Sequence, residues 1–265
     1  MIVDELRPTL GVVGGMGPLA GVKFVENLLA STPVDSERDH LRVLLDNDPL
    51  IPDRLTAYRG TGVSPAGAIQ ARIEGLARLG VTAVAVPCNA VHYFRREIAD
   101  VLPVPWLDMI AMVGRSVARR SSRPLILGAF ITVQESLYTP YLPGCTYPGP
   151  ELNSEIFRAI DAIKSFQIGS DPTESCAEVA RLRSLIESQD CDAVVLACTE
   201  LTVIRDLPGL RVPVIDSSLE YARLVSEALR DPLAHGLLGD CGLPPQSANA
   251  HTPFDQSFHQ PVVRW

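Results

Sequence analysis

No apolar run in this sequence approaches the roughly 20 residues that a membrane-spanning helix needs. The opening MIVDELRPTL carries two acids and lacks the basic segment and apolar core of a secretory signal. A cytoplasmic protein that does not bind membrane is the expectation. Clusters of Lys and Arg are also missing, and 23 basic residues stand against 31 acidic ones for a formal net charge of -8. That balance argues against nucleic acid as a partner. No CxxC pair occurs, and the six cysteines, at 88, 145, 176, 191, 198 and 241, are spread through the chain, so zinc and redox motifs are unsupported and most should be free thiols. The glycine-rich GGMGP at 14–18 is neither GxGxxG nor GxxxxGKS/T, which leaves a phosphate-bearing cofactor without support.

What is present is a folding pattern. With 265 residues, 46% of them hydrophobic, the chain can bury a large core. TLGVVG reads as a buried strand, GGMGP as a tight turn and GVKFVENLLAS as an amphipathic helix. LRVLLDN, VTAVAVP and VPWLDM read as further strands, with PAGAIQARIEGLARLG and AVHYFRREIADVL as helices between them. The pattern then restarts: PLILGAF, CDAVVLA and VPVID as strands, QESLYTPYL, NSEIFRAIDAIKSF, ESCAEVARLRSLIESQ and DSSLEYARLVSEAL as helices. LGVVG is echoed by LILGA, VAVPCN by VVLACT and VPWLDM by VPVIDS, in the same order and at nearly the same spacing.

The expected fold is therefore α/β, with two pseudo-symmetric lobes, each a mostly parallel sheet flanked by helices, and the site in the cleft between them. The lobes are expected at 8–120, with the C-terminal helix a candidate to complete this one, and at 121–230. The segment 231–265 shifts toward Pro, Gly, His and Gln and is expected to be an irregular tail without a catalytic part.

Cys88 and Cys198 stand at equivalent places, each directly after a predicted strand. Ligands of parallel sheets bind at the carboxyl ends of strands. If the lobes face each other, the two thiols flank one cleft, the arrangement needed to take a proton from one face of a substrate and return one to the other. A thiol suits this work because its ordinary pKa of about 8.5 can be lowered at helix N-termini and beside donors. Asn89 and Thr199 follow the cysteines and could be such donors. A lone cysteine is more often a small buried hydrophobe, which is the reading for Cys145, Cys176, Cys191 and Cys241. His92, four residues after Cys88, could order the turn or touch a proton, whereas Glu200, Asp108 and Asp216 read first as helix caps.

GGMGP at 14–18, NDPLIPDR at 47–54, PCNAVH at 87–92, ACTEL at 197–201 and PVID at 213–216 together resemble the cofactor-independent aspartate/glutamate racemases, more closely the aspartate racemase branch. The resemblance spans about residues 8–230. It implies a two-lobed enzyme that interconverts the enantiomers of an acidic amino acid, aspartate ahead of glutamate, without pyridoxal phosphate or metal, and it carries the expectation of a homodimer. Cys88 and Cys198 match the catalytic thiols. Arg54 matches a residue that binds a substrate carboxylate, and Lys164 a second such cation. Removing a proton beside a carboxylate builds negative charge there, so these cations and backbone N–H groups of the turns at Met16-Gly17, Cys88-Asn89 and Cys198-Thr199 would stabilise the transition state.

Two departures bear on specificity. Ala90 replaces a usual Thr, and FITVQESLY replaces a Thr-rich turn, leaving Thr132 as the candidate hydroxyl. Three readings stay open: racemase of aspartate, glutamate or a broader set; a two-cysteine isomerase or lyase of another small carboxylate; and a two-lobed small-anion-binding protein without catalysis.

Overall fold

Every residue of Thr9–Gly14 (β1) is buried, as a strand covered on both faces requires. The structure, a computed structural model, describes residues 8–165, 183–201 and 210–230, with the side chains of 159 and 161–165 outside that description. β1 is flanked by Arg42–Asn47 (β2) and Ala83–Ala85 (β3), and Trp106–Leu107 (β4) completes a parallel sheet of order β2-β1-β3-β4. Pro124–Gly128 (β5), Ala193–Ala197 (β6) and Val214–Asp216 (β7) form a second parallel sheet, β5-β6-β7.

Strand periodicity divides the core into three layers. Leu10, Val12, Ala83 and Ala85 face a central cluster, while Val13, Val84 and Val86 face the outer side of the first sheet. Ile126, Val195 and Ala197 join the same central cluster from the second sheet, and Leu125, Leu127, Val194 and Leu196 face its outer side. The sheets thus share one middle layer.

Pro18–Ser31 (α1) opens with proline at its first position, where the missing N–H costs nothing. Arg54–Tyr58 (α2) is capped by Asp53, whose carboxylate accepts from the Thr56 N–H at 2.8 Å. Ala66–Arg78 (α3) and Met109–Ala118 (α4) follow, the latter capped by Asp108 through the Ala111 N–H at 3.0 Å. Phe130–Gln134 (α5) and Pro150–Ser165 (α6) belong to the second lobe. The last helix, Ser217–Arg230 (α7), returns to α1, where the Phe24 and Tyr221 rings lie 5.2 Å apart and the Thr32 and Ser226 hydroxyls meet at 2.9 Å.

Two expected helices differ. AVHYFRREIADVL forms 3₁₀ turns, Ala90–Glu97 and Ala99–Val101, because Val91 with Phe94 and His92 with Arg95 are buried at a spacing of three. QESLYTPYL leaves helical geometry at Ser136, whose φ is +49°. It continues as turns that bury Tyr138. Most of the helix expected over 174–189 lies outside the described residues, as does 231–265.

Candidate active site

The carboxyl ends of five strands meet at one cavity of about 320 Å³, at the small end of the roughly 300–1,000 Å³ usual for ligand pockets. Met16 enters it after β1, Asp53, Arg54 and Leu55 after β2, Cys88, Asn89 and Ala90 after β3, and Ala129, Phe130 and Ile131 after β5. Cys198, Thr199 and Glu200 enter after β6, and Phe157 and Ile160 from α6 complete the wall. Cys88 and Cys198, contributed by different sheets, therefore line one space.

The turn that carries Cys88 is held at several points. Its N–H donates to Val86 O at 2.8 Å, closing a tight turn around Pro87. The buried His92 ring fixes the other side. Its Nε2 accepts from the Met109 N–H at 3.1 Å, so the neutral ring carries its proton on Nδ1 and donates it to Cys88 O at 2.8 Å. Burial pushes the His92 pKa down, which keeps this tautomer in place; Asp108 opposes the shift and Arg95 adds to it. Asn89 is buried, with Nδ2 donating to Ser217 Oγ at 3.2 Å and Oδ1 accepting from the Tyr138 hydroxyl at 2.6 Å. Its side chain binds protein partners, although the residue borders the cavity.

Cys198 is in a different setting. Its thiol donates to Glu200 Oε2 at 2.9 Å, and the Thr199 hydroxyl donates to the same oxygen at 3.2 Å. Glu200 reads from the sequence as a cap, yet its carboxylate accepts the hydrogen bond of the Cys198 thiol. The GGMGP turn approaches from the first lobe: a Cβ on Gly17 would lie 3.9 Å from Glu200 Oε1. Gly15 itself has φ +97°, and a Cβ there would fall 1.9 Å from Asp48 O. Only glycine fits, so the β1 turn and the NDPLIPDR segment lock together.

With this geometry, the sequence model of Asp/Glu/Hydantoin racemases matches residues 13–225. The chain belongs to the Asp/Glu/hydantoin racemase family. It is a racemase, hence an isomerase. Similar proteins include the broad-specificity amino-acid racemase RacX of Bacillus subtilis, 26% identical over 231 residues that cover 81% of this chain and 95% of that protein. The aspartate racemase of Picrophilus torridus is 30% identical, with a TM-score of 0.71 over 83% of this chain and 94% of its own. Glutamate racemase from Thermus thermophilus shares the fold, with 21% identity, a TM-score of 0.57 and coverage of 87% and 82%.

In this racemase the cations are distributed unevenly. Arg54 opens α2, lines the cavity and spends only a 3.4 Å contact on Pro52 O, with no ion pair among the described residues. Lys164 stands in the last turn of α6, and its side chain lies outside the described residues. Thr132, expected at the site, is fully buried and does not line the cavity. Its methyl is 3.0 Å from where a Gly128 Cβ would sit, because the one-turn α5 carries residue 132 back under β5 while Phe130 and Ile131 face the cavity.

Sequence reading also missed Arg59. It lines the cavity with its guanidinium 5.7 Å from the Phe130 ring centre, in the range of a cation–π contact. No local motif marks it, since its neighbour Phe130 comes from the other lobe. Beside it Tyr58 donates to Glu135 across the cleft, and burial with that contact pushes the Tyr58 pKa well up.

Proposed function

We propose that Cys88 and Cys198 are the two proton-transfer groups of a cofactor-independent racemase of acidic amino acids, with aspartate the first substrate to test and glutamate next. The observation that carries this reading is that the two thiols, each at the end of a parallel strand in a different sheet, line one cavity together with Arg54. Arg54 holds a substrate carboxylate through a charge-assisted contact. One sulfur takes the α-proton as negative charge grows on the adjacent carboxylate, while the other sulfur delivers a proton to the opposite face.

Arg54 and the Met16-Gly17, Cys88-Asn89 and Cys198-Thr199 backbones surround the place where that charge develops, so their stabilisation increases along the reaction. Glu200 accepts the Cys198 proton when that thiol must become the base and returns it when it must act as the acid. Lys164 stands as the second candidate cation on the family resemblance.

The names of the relatives, an aspartate racemase and a broad-specificity racemase, support an amino acid as substrate. Among the described residues Cys88, Cys145, Cys191 and Cys198 are in no disulfide, which supports a reducing, cytoplasmic setting. Among the described residues no helix is long and apolar enough to cross a membrane. Leu19, Val22 and Leu29, exposed on α1, support an assembly of two copies.

Racemisation in deuterated water tests the two-thiol mechanism. At low conversion the product enantiomer is expected to carry deuterium at Cα while unreacted substrate remains unlabelled, since the far-side thiol exchanges with solvent before substrate arrives. Cys88→Ala and Cys198→Ala are each expected to lose racemisation with an unchanged melting temperature. Unlabelled early product, or turnover near wild type in either variant, refutes opposed bases at these positions.

A further inference from the structure

We infer that Arg59 is the side-chain anchor of the substrate, the residue that makes this cavity select an acidic side chain over a neutral one. The inference rests on the racemase reading above and adds the determinant of its substrate class. Beside its polar members the cavity wall carries an apolar stretch, Leu55, Phe130, Ile131, Phe157 and Ile160, and Phe130 lies against Arg59. A wall of that kind does not discriminate a carboxylate from an isosteric amide except against the carboxylate, which it would strip of water.

A dicarboxylate substrate needs two cationic contacts, and two arginines of the described cavity are open to make them. Arg54 and Arg59 form no ion pair among the described residues, whereas the lining carboxylates are engaged elsewhere, Asp53 in capping α2 and Glu200 on Cys198 and Thr199. The arginines lie five residues apart on α2 and its C-terminal cap. At 3.6 residues per turn they leave the helix in directions roughly 140° apart, which suits two separate carboxylates better than one.

Phe130 sets the position of Arg59. Its ring is flanked by Tyr58 at 6.0 Å and by Phe157 at 5.8 Å, and the Arg59 guanidinium lies over it at 5.7 Å. Such stacking orients the planar cation while leaving its N–H edges to point at an acceptor. The methylene stem of an acidic side chain would run along Phe130 and Phe157, with its carboxylate reaching those edges. Removing the Arg59 charge leaves an apolar pocket and should turn selectivity toward neutral side chains.

The test compares kcat/KM for glutamate with glutamine and for aspartate with asparagine, pairs that differ in charge at nearly constant shape. Wild-type protein is expected to favour the acid by about 100-fold or more. Arg59→Met should shrink the acid-to-amide ratio by about tenfold or more, and Arg59→Lys should restore part of it. A change in folding or in the thiols alone would move both members of a pair together. Thermal shift with glutarate and with its monoamide provides a readout independent of turnover: the diacid should lose its advantage in Arg59→Met. An unchanged ratio in that variant overturns the assignment and leaves Lys164 as the selecting cation, and a wild type that prefers the amides overturns it because no cation then selects the acid. If wild-type protein racemises none of the four amino acids, the function proposed above fails, and the glutarate comparison still decides the role of Arg59.

Discussion

Cys198 Sγ and Glu200 Oε2 lie 2.9 Å apart with the thiol donating, so one of the two sulfurs is hydrogen-bonded to a carboxylate. No carboxylate is hydrogen-bonded to the Cys88 thiol among the described residues. The site therefore joins near-symmetric strand ends to unequal proton partners.

Replacing Glu200 by Gln keeps an oxygen for the S–H to meet but removes the proton acceptor. We expect kcat/KM to fall by about 10²-fold, the low end of what a positioned acid–base group contributes. Enantiomers have equal free energy, so the fall must be the same from either direction, while kcat and KM are free to shift separately. Initial rates from both enantiomers by circular dichroism check this, and an unchanged kcat/KM would reduce Glu200 to a structural role.

Arg54→Ala should lower kcat/KM by about 10²-fold or more through loss of a charge-assisted carboxylate contact, with little change in melting temperature, because among the described residues the wild-type side chain holds only Pro52 O at 3.4 Å. Steady-state kinetics beside thermal unfolding measures both. Wild-type kinetics would take Arg54 out of substrate binding.

His92 gives a pH signature. Its pKa is lowered by burial in the folded state, against about 6.5 for an unperturbed histidine. Between those two values the unfolded chain binds a proton that the folded one does not, so stability rises with pH. This contribution is complete above about pH 6.5 and is lost as pH falls toward the folded-state value. Denaturant unfolding should show a lower midpoint at pH 5.5 than at pH 7.5, with a smaller difference in His92→Gln. Equal pH dependence in both proteins would exclude His92 as its source.

Gly15→Ala is expected to destabilise the fold by about 3 kcal/mol or more, since its Cβ meets Asp48 O at 1.9 Å and its φ is +97°. Gly60→Ala, at φ +71° with open space around the added carbon, should cost only about 1 kcal/mol. Urea midpoints of the two variants give the comparison, and equal losses would show that the close approach to Asp48 is relieved at little cost.

The strands were readable because β1, β3, β5 and β6 are covered on both faces, which turns a period of two into unbroken apolar runs such as VAVP and AVVLA. The duplicated ends of two of those runs are what single out Cys88 and Cys198 in the sequence. What stayed hidden depends on contacts between distant segments. An α-helix and a 3₁₀ turn both bring residues three apart to one side, so AVHYFRRE did not reveal its form. Tyr138 is drawn out of helix by the core and by Asn89, 49 positions away. Glu200 looked like a cap because Cys198 is its neighbour in sequence, and Arg59 carried no signal because Phe130 reaches it from the other sheet.

The middle layer in which both sheets bury their inner faces also governs how the molecule comes apart. Leu10, Val12, Ala83 and Ala85 on one side and Ile126, Val195 and Ala197 on the other cover one another, so a fragment holding only the first sheet would present that face to water. Halves related by an echo in sequence are thus bound into a single cooperative unit. Heating should melt them in one calorimetric transition, and the spacing between the sulfurs persists for as long as the whole protein does.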